Sequence, residues 1–330
     1  MELFSLFTEN LLSPPILFFF LGIISKILKS DLEIPEQISK YLTIYLMMAI
    51  GFKGGIAIAN TDNINGTVIA TILAGMGAGF VQPFIGYYLL KLTTKLDDLT
   101  AAAVAAHYGS ISMVTFIAAV NFLGVNSIVY SGYIIAVLSL MEVPAILSGL
   151  LIAYKSKPGV TTDNPKSIFC ILKEIVTSGS ILLLMGSFFI GWISGPKGMK
   201  VMEGFLVTPF QGILTFFLLD MGILVSRHLS DFKEFNLRLI IFCIYMPLIG
   251  SIIGIALSVM IGLDMGTGFL LTILISSSSY IVATAAMRAA LPQAKAAIYI
   301  PMSLAITFPF NITMGIPLYF VMAQKFLITA

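Results

Sequence analysis

The chain has 330 residues, of which 58% are hydrophobic and only 10% charged, and its net charge is +2. Soluble domains average about 25% charged residues, and a water-soluble chain this apolar would expose large apolar patches. The composition therefore excludes an ordinary soluble protein, and the lack of a long basic run excludes a nucleic-acid partner. We expect an all-α polytopic membrane protein embedded in a lipid bilayer.

Ten apolar segments are long enough to cross a membrane, which takes about 20 mostly apolar residues. The connections between them are short and polar, as at 60–63 and 195–198. We predict two halves, residues 1–154 and 167–330, joined by a linker at 155–166. The predicted transmembrane helices lie near 13–30, 36–58, 66–90, 97–122, 128–154, 167–194, 205–226, 237–262, 266–290 and 296–323.

The basic residues orient these segments, since Lys and Arg concentrate on the cytoplasmic side. If the chain crosses the membrane ten times, fourteen of its eighteen Lys and Arg residues lie on the same side of the membrane. This asymmetry predicts that both termini lie outside and that the 155–166 linker is cytoplasmic.

Three pairs of segments match in the same order in the two halves. The first pair is 46–51 in segment two and 218–222 in segment seven. Acidic residues precede segments four and nine, as Asp97 and Asp264, and polar interruptions follow at 109–112 and 276–279. Segments five and ten contain Pro144 and Pro309. An offset of five helices reverses the second copy, so the pattern predicts a 5+5 inverted repeat whose two broken helices cross at the midplane. The alternative is chance similarity among apolar helices.

The two interruptions are candidate binding sites for a small anion. A helix break within a bilayer frees backbone N–H and C=O groups, which are tolerated only where they line a cavity or bind a ligand. The N-terminus of the following half-helix carries partial positive charge and attracts anions. Serine packing between helices is the alternative. The predicted substrate-binding residues are Gly109, Ser110, Ile111, Ser112, Ser276, Ser277, Ser278 and Ser279.

A buried acid in segment five indicates a cation. Glu142 needs a counter-charge, a proton or a cation inside the membrane, and Pro144 leaves a carbonyl free nearby. Such oxygen ligands suit sodium, and Thr307 and Asn311 around Pro309 supply neutral oxygens at the symmetric place. The alternative is a protonated Glu142 that hydrogen-bonds a neighbouring helix.

Two other polar residues lie in apolar segments. Asp220 either pairs with a cation or lies near the cytoplasmic end beside Arg227 in a structural role. His107 could shuttle protons, although a lone histidine is more often a packing residue.

Several short motifs give the chain a family resemblance. They are 34–39, 51–58, 141–145, 221–222, 276–278, 291–292 and 297–299. In order and spacing they resemble the bacterial sodium-dependent bicarbonate transporter family over nearly the whole chain. The resemblance implies a core and a gate domain, a homotrimer in the bacterial inner membrane, and bicarbonate carried with sodium by alternating access. It also implies a binding site at the two breaks and an acidic residue at the position that Glu142 occupies.

The chain departs from cyanobacterial members of that family in three places. No acid follows its serine run, which continues as Tyr280 and Ile281, and its first break has fewer Gly and Ser residues. The 155–166 linker is also shorter, which bears on a cytoplasmic PII-like regulator that would dock there.

The sequence leaves three kinds of function open. Sodium-dependent uptake of bicarbonate or a similarly small anion is our leading hypothesis, with a proton-coupled carrier of another small anion as the alternative. A membrane sensor or scaffold without flux is a further alternative. An enzyme is not expected, because the chain has no H-E-x-x-H, G-x-S-x-G, CxxC or Walker motif.

Overall fold

The computed structural model of the protein describes residues 8–59, 66–156, 179–227 and 236–327, and every regular element in these ranges is helical. The predicted connection at 60–63, most of the linker (157–166) and the first part of the sixth predicted segment (167–178) lie outside the described residues.

The helices follow the predicted segments closely. They are α1 (Pro14–Ile27), α2 (Glu36–Ala59), α3 (Gly66–Thr93), α4 (Asp98–Gly109), α5 (Met113–Val125), α6 (Ile134–Ser156), α7 (Gly179–Met202), α8 (Phe210–Arg227), α9 (Leu237–Ile261), α10 (Met265–Ile275), α11 (Val282–Ala290) and α12 (Ala296–Phe326).

Six spans among the described residues are both long and apolar enough to cross a membrane, counting the pair α4–α5 as one. The apolar helices α1 and α10 are shorter than that length. The protein is therefore a helical, multi-pass membrane protein, while the count of ten transmembrane helices stays a prediction.

Two predicted boundaries were wrong. The polar stretch 195–198 is shorter as a connection than predicted, because only Gly195 is non-helical there (φ 56°, ψ −156°) and the chain is helical again to Met202. Only glycine readily adopts this backbone conformation, so Gly195 separates two helical parts of α7. Segment five begins later than predicted, at Ile134, after a non-helical stretch in which Ser127 has a positive φ.

The helices form two groups that pack mainly within themselves. The four-helix group contains α1, α2, α7 and α8, with α1 against α8 and α2 against α7. The six-span group contains α3, α4–α5, α6, α9, α10–α11 and α12. Contacts between the two groups are sparse by comparison, so each group has its own packing.

Close glycine contacts hold the pairs of the four-helix group together. A Cβ atom on Gly22 of α1 would lie 2.3 Å from the Leu219 carbonyl oxygen, and one on Gly222 of α8 would lie 2.0 Å from the Phe19 carbonyl oxygen. Small residues let membrane helices approach this closely.

Aromatic side chains make one part of the contact between the groups. The rings of Phe19 on α1 and Phe308 on α12 meet edge to face, with centroids 5.7 Å apart. Phe308 also contacts the ring of Tyr280, whose hydroxyl donates to Met221 Sδ on α8 over 3.7 Å. We call these four side chains the aromatic seam.

Hydrogen bonds join the groups near the N-terminus of α1. The Asn10 amide donates to the carbonyl oxygens of Ile312 (2.8 Å) and Thr313 (3.1 Å). These acceptors lie in a π-helical stretch of α12, Asn311–Gly315. Gln211 donates to Asn121 Oδ1 over 3.0 Å.

Candidate transport site

The fourth predicted segment is interrupted between Gly109 and Met113. Ser110 and Ser112 are extended there, with φ/ψ of −91°/164° and −102°/107°. A Cβ atom at Gly109 would lie 2.4 Å from the Pro83 ring on α3, so a side chain there would clash with that helix. Ser112 then starts α5 as an N-cap, because its hydroxyl accepts from the Thr115 N–H over 3.2 Å.

The ninth segment is interrupted between Ile275 and Val282. The hydroxyls of Ser276 and Ser277 bond back to carbonyl oxygens of α10, over 2.7 and 2.9 Å. Ser279 accepts from the Ala283 N–H over 3.3 Å at the start of α11. These side chains satisfy backbone groups that the break would otherwise leave unpaired.

The two breaks bond directly to each other. The Ser112 N–H donates to Ser277 Oγ over 2.8 Å. In the other direction, the Ser279 N–H and the Ser278 hydroxyl both donate to the His107 carbonyl oxygen, over 2.9 and 3.2 Å. The residues predicted at the two breaks, which lie 165 or more positions apart in the chain, are therefore neighbours in space.

A small cavity of about 20 Å³ lies at this junction. It is lined by Ser112, Glu142 and Ser279, together with the first residues of α5 and of α11. The first N–H groups of a helix have no partner within it and carry the positive end of its dipole. The cavity thus combines two helix N-termini with one carboxyl group.

Three buried oxygen atoms near the breaks have no hydrogen-bond partner among the described residues. They are Glu142 Oε2, Ser110 Oγ and Gln82 Oε1. Glu142 is only 3% exposed. Buried polar atoms are almost always paired in proteins, so the Glu142 and Gln82 oxygens favour a ligand that supplies a proton or a positive charge. The Ser110 hydroxyl can also donate to an anion.

Gln82 was missed from the sequence. Its amide donates to the Ile275 carbonyl oxygen over 2.7 Å and so caps the C-terminal end of α10 from α3. The signal was a polar side chain next to Pro83 in an apolar segment, the same signal that identified Glu142 beside Pro144.

The other two residues predicted to bind sodium are occupied elsewhere. The Thr307 hydroxyl donates to the Cys243 carbonyl oxygen over 2.8 Å and bonds the Tyr108 hydroxyl over 2.6 Å. Asn311 donates to the Ser276 carbonyl oxygen over 3.0 Å, and its Oδ1 accepts from Tyr319 over 2.9 Å. Glu142 instead lines the cavity with Ser112 and Ser279.

His107 is a fully buried, bonded side chain. Its Nδ1 lies 2.6 Å from the Ala103 carbonyl oxygen, its Nε2 lies 3.1 Å from Thr284 Oγ1, and its ring packs on Tyr299. These contacts match the packing role, and its backbone carbonyl holds the second break.

Asp220 is buried on α8, beside the Ser39 side chain and within electrostatic range of Arg227. Arg227 itself contacts Glu33 over 3.4 Å. Asp220 lies in the four-helix group, within electrostatic range of Tyr280 of the aromatic seam.

Comparison with known sequences gives this arrangement a family. A sequence model described as the Na⁺-dependent bicarbonate transporter superfamily matches residues 14–324. The chain belongs to this superfamily. It is accordingly a membrane transporter and not an enzyme, as the sequence motifs predicted. No curated protein matches the chain in a direct sequence search.

Proposed function

We propose that the protein takes up bicarbonate, or a similarly small anion, together with sodium by alternating access. The observation that carries this proposal is the cavity where two helix N-termini meet Glu142. Helix N-termini favour an anion, while an unpaired carboxylate favours a cation. Both preferences meet in one place, as cotransport of oppositely charged ions requires.

Electrostatics explains why the two ions would depend on each other. Two unit charges 4 Å apart interact by about 4 kcal/mol at an effective dielectric constant of 20. A substrate anion beside an ionised Glu142 is therefore repelled by an amount of this order, or about a thousandfold in affinity. A sodium ion bound by Glu142 removes that repulsion, so anion binding becomes sodium-dependent.

The cavity volume indicates how the cycle must proceed. A cavity of about 20 Å³ accommodates one water-sized species, whereas bicarbonate has four heavy atoms. The walls must separate before such an anion enters, and the sparse contact between the four-helix and six-span groups supports movement of one group against the other.

Two observations support the proposed 5+5 inverted repeat. Asp97 caps α4 by accepting from the Thr100 N–H, and Asp264 caps α10 in the same way through the Thr267 N–H, over 2.9 and 2.8 Å. The glycine contact between α1 and α8 also has a counterpart between α2 and α7, where a Cβ on Gly55 would lie 1.9 Å from the Phe188 carbonyl oxygen.

The proposal also includes the oligomeric state and the membrane location that the family resemblance implies. The proposed assembly is a homotrimer in the bacterial inner membrane, with both termini outside. In this assembly a PII-like regulator would dock at the cytoplasmic 155–166 linker.

The test is uptake of radiolabelled bicarbonate into proteoliposomes that contain the purified protein. A sodium gradient should drive accumulation, and replacing sodium with potassium should abolish it. Accumulation driven equally by a proton gradient without sodium would favour the proton-coupled alternative, in which Glu142 carries the proton. Absence of sodium-dependent flux for bicarbonate and for other small anions would overturn the proposal.

A further inference from the structure

An apolar groove of about 500 Å³ lies on the four-helix group, outside the region of the two breaks. Its walls come from α2, from α7 and from the π-helical stretch Glu203–Val207 that follows α7. Met48 and Phe52 form one wall, and Ile190, Val201 and Leu206 form the others. The volume falls within the range of about 300–1,000 Å³ that is typical of small-molecule sites.

Backbone packing holds the groove in shape. A Cβ atom on Gly191 of α7 would lie 2.2 Å from the Phe52 carbonyl oxygen, so the first part of α7 touches α2 backbone to backbone. The kink at Gly195 then turns the chain, and an added Cβ on Gly198 would lie 3.4 Å from the Phe52 ring. The part of α7 after Gly195 therefore lines the groove together with the part before it. The groove is thus a feature of the fold itself.

The exposed walls of the groove are apolar. Ile190 is 59% exposed and Val201 is 82% exposed. In a membrane protein, such side chains face lipid tails. A hydrocarbon chain is therefore the ligand that best fits the walls of this groove.

One lining residue is charged. Lys197 lies two positions after the kink and is exposed at the groove, whereas Lys200 is exposed nearby but does not line it. Lysine near the end of a membrane span typically extends to the headgroup region. A single ammonium group beside an apolar slot matches a molecule with a hydrocarbon chain and an anionic head.

We propose that this groove binds one anionic phospholipid, with an acyl chain lying in the groove along α2 and α7 and its phosphate at Lys197. The site is separate from the transport cavity, and it does not depend on which ion the protein carries.

Native mass spectrometry of the purified protein tests the site. The protein in detergent is titrated with phosphatidylglycerol or with phosphatidylcholine of the same acyl chains. One phosphatidylglycerol should bind each chain in preference to phosphatidylcholine. Lys197→Gln should weaken that binding about fivefold, since one basic residue near a membrane contributes about 1 kcal/mol. Lys200→Gln is the matched control and should leave the preference unchanged.

The apolar part of the site is tested by Val201→Trp, which adds bulk at an exposed wall. This variant should lower binding of both lipids while its thermal unfolding stays that of the parent. Equal loss in Lys197→Gln and Lys200→Gln, or no preference between the lipids, would overturn the proposal. Efficient cross-linking of Lys197→Cys between two copies in lipid-free protein would assign the groove to a subunit contact and overturn it as well.

Discussion

The two helix breaks are built differently. In the second break all four serine hydroxyls have hydrogen-bond partners, and Ser278 alone bonds both the His107 carbonyl oxygen and the Ser303 hydroxyl. In the first break the Ser110 hydroxyl is buried without a partner among the described residues, and the cavity beside it includes Glu142.

This difference separates scaffold from ligand contact. A polar group that is already paired contributes to stability, and its removal costs more when it leaves its partner unpaired. A buried polar group without a partner destabilises the fold and is free to bind a ligand. We therefore expect changes at Ser110 and Glu142 to alter transport, and a change at the fully paired Ser278 to alter folding.

The largest effect is expected from Glu142→Gln, which removes the charge and keeps the shape. Loss of an interaction of up to about 4 kcal/mol should raise the sodium concentration for half-maximal uptake at least ~tenfold. Sodium titration of bicarbonate uptake in proteoliposomes measures it. Glu203→Gln, at an exposed position between α7 and α8, is the control. Unchanged sodium activation in Glu142→Gln would remove Glu142 from the cation site.

Ser278→Ala should act mainly on stability. It removes hydrogen bonds to His107 and Ser303. The His107 carbonyl oxygen keeps the Ser279 N–H, but the buried Ser303 hydroxyl loses its partner, which costs about 1–3 kcal/mol. Thermal unfolding in detergent should shift to lower temperature, while the half-saturating bicarbonate concentration of the folded protein stays the same. A normal unfolding temperature with weaker bicarbonate binding would place Ser278 among the ligand contacts.

Ser110→Ala is the counterpart in the first break. Because its buried hydroxyl has no partner among the described residues, the variant should unfold at the same temperature or a higher one. Loss of one substrate hydrogen bond of about 1 kcal/mol should raise the half-saturating bicarbonate concentration about fivefold. Kinetics of uptake at saturating sodium give this value. A variant less stable than Ser278→Ala would reverse the comparison between the two breaks.

Asn311→Ala should have the smallest effect on transport. It leaves the Ser276 carbonyl oxygen and the Tyr319 hydroxyl without this partner, so we expect about 1–3 kcal/mol lower stability and an unchanged sodium requirement. A rise in the half-saturating sodium concentration comparable to that of Glu142→Gln would instead make Asn311 a sodium ligand that exchanges its present partners during the cycle.

The helices and both breaks could be predicted because their signals are local. Long apolar runs define helices in lipid, and Gly109 and the serine run interrupt them. The Asp97 and Asp264 caps likewise depend on residues three positions away.

The site could be predicted only in part, because hydrogen-bond partners depend on how distant segments pack. Nothing local indicates that Gln82 caps α10, or that Asn311 is held by Tyr319 and Ser276. The predicted repeat places Thr307 and Asn311 at the position symmetric to Glu142, but symmetry relates two places in the fold and does not bring them together. The helical continuation after Gly195 was missed, because a Gly-Pro pair indicates a turn whether or not the helix resumes after it.

The aromatic seam has a mechanical consequence. Attraction between rings, and between a ring and a thioether, is spread over many weak atom pairs and has little directionality compared with a hydrogen bond. One face of such a surface can shift along the other by exchanging weak contacts, so the seam presents a low energy barrier to sliding. The bonds of Asn10 and Gln211 are directional and must break as units. In the proposed movement of the two groups, these bonds hold the resting position and must break before one group slides along the other. The contacts of the aromatic seam then determine how easily the groups move.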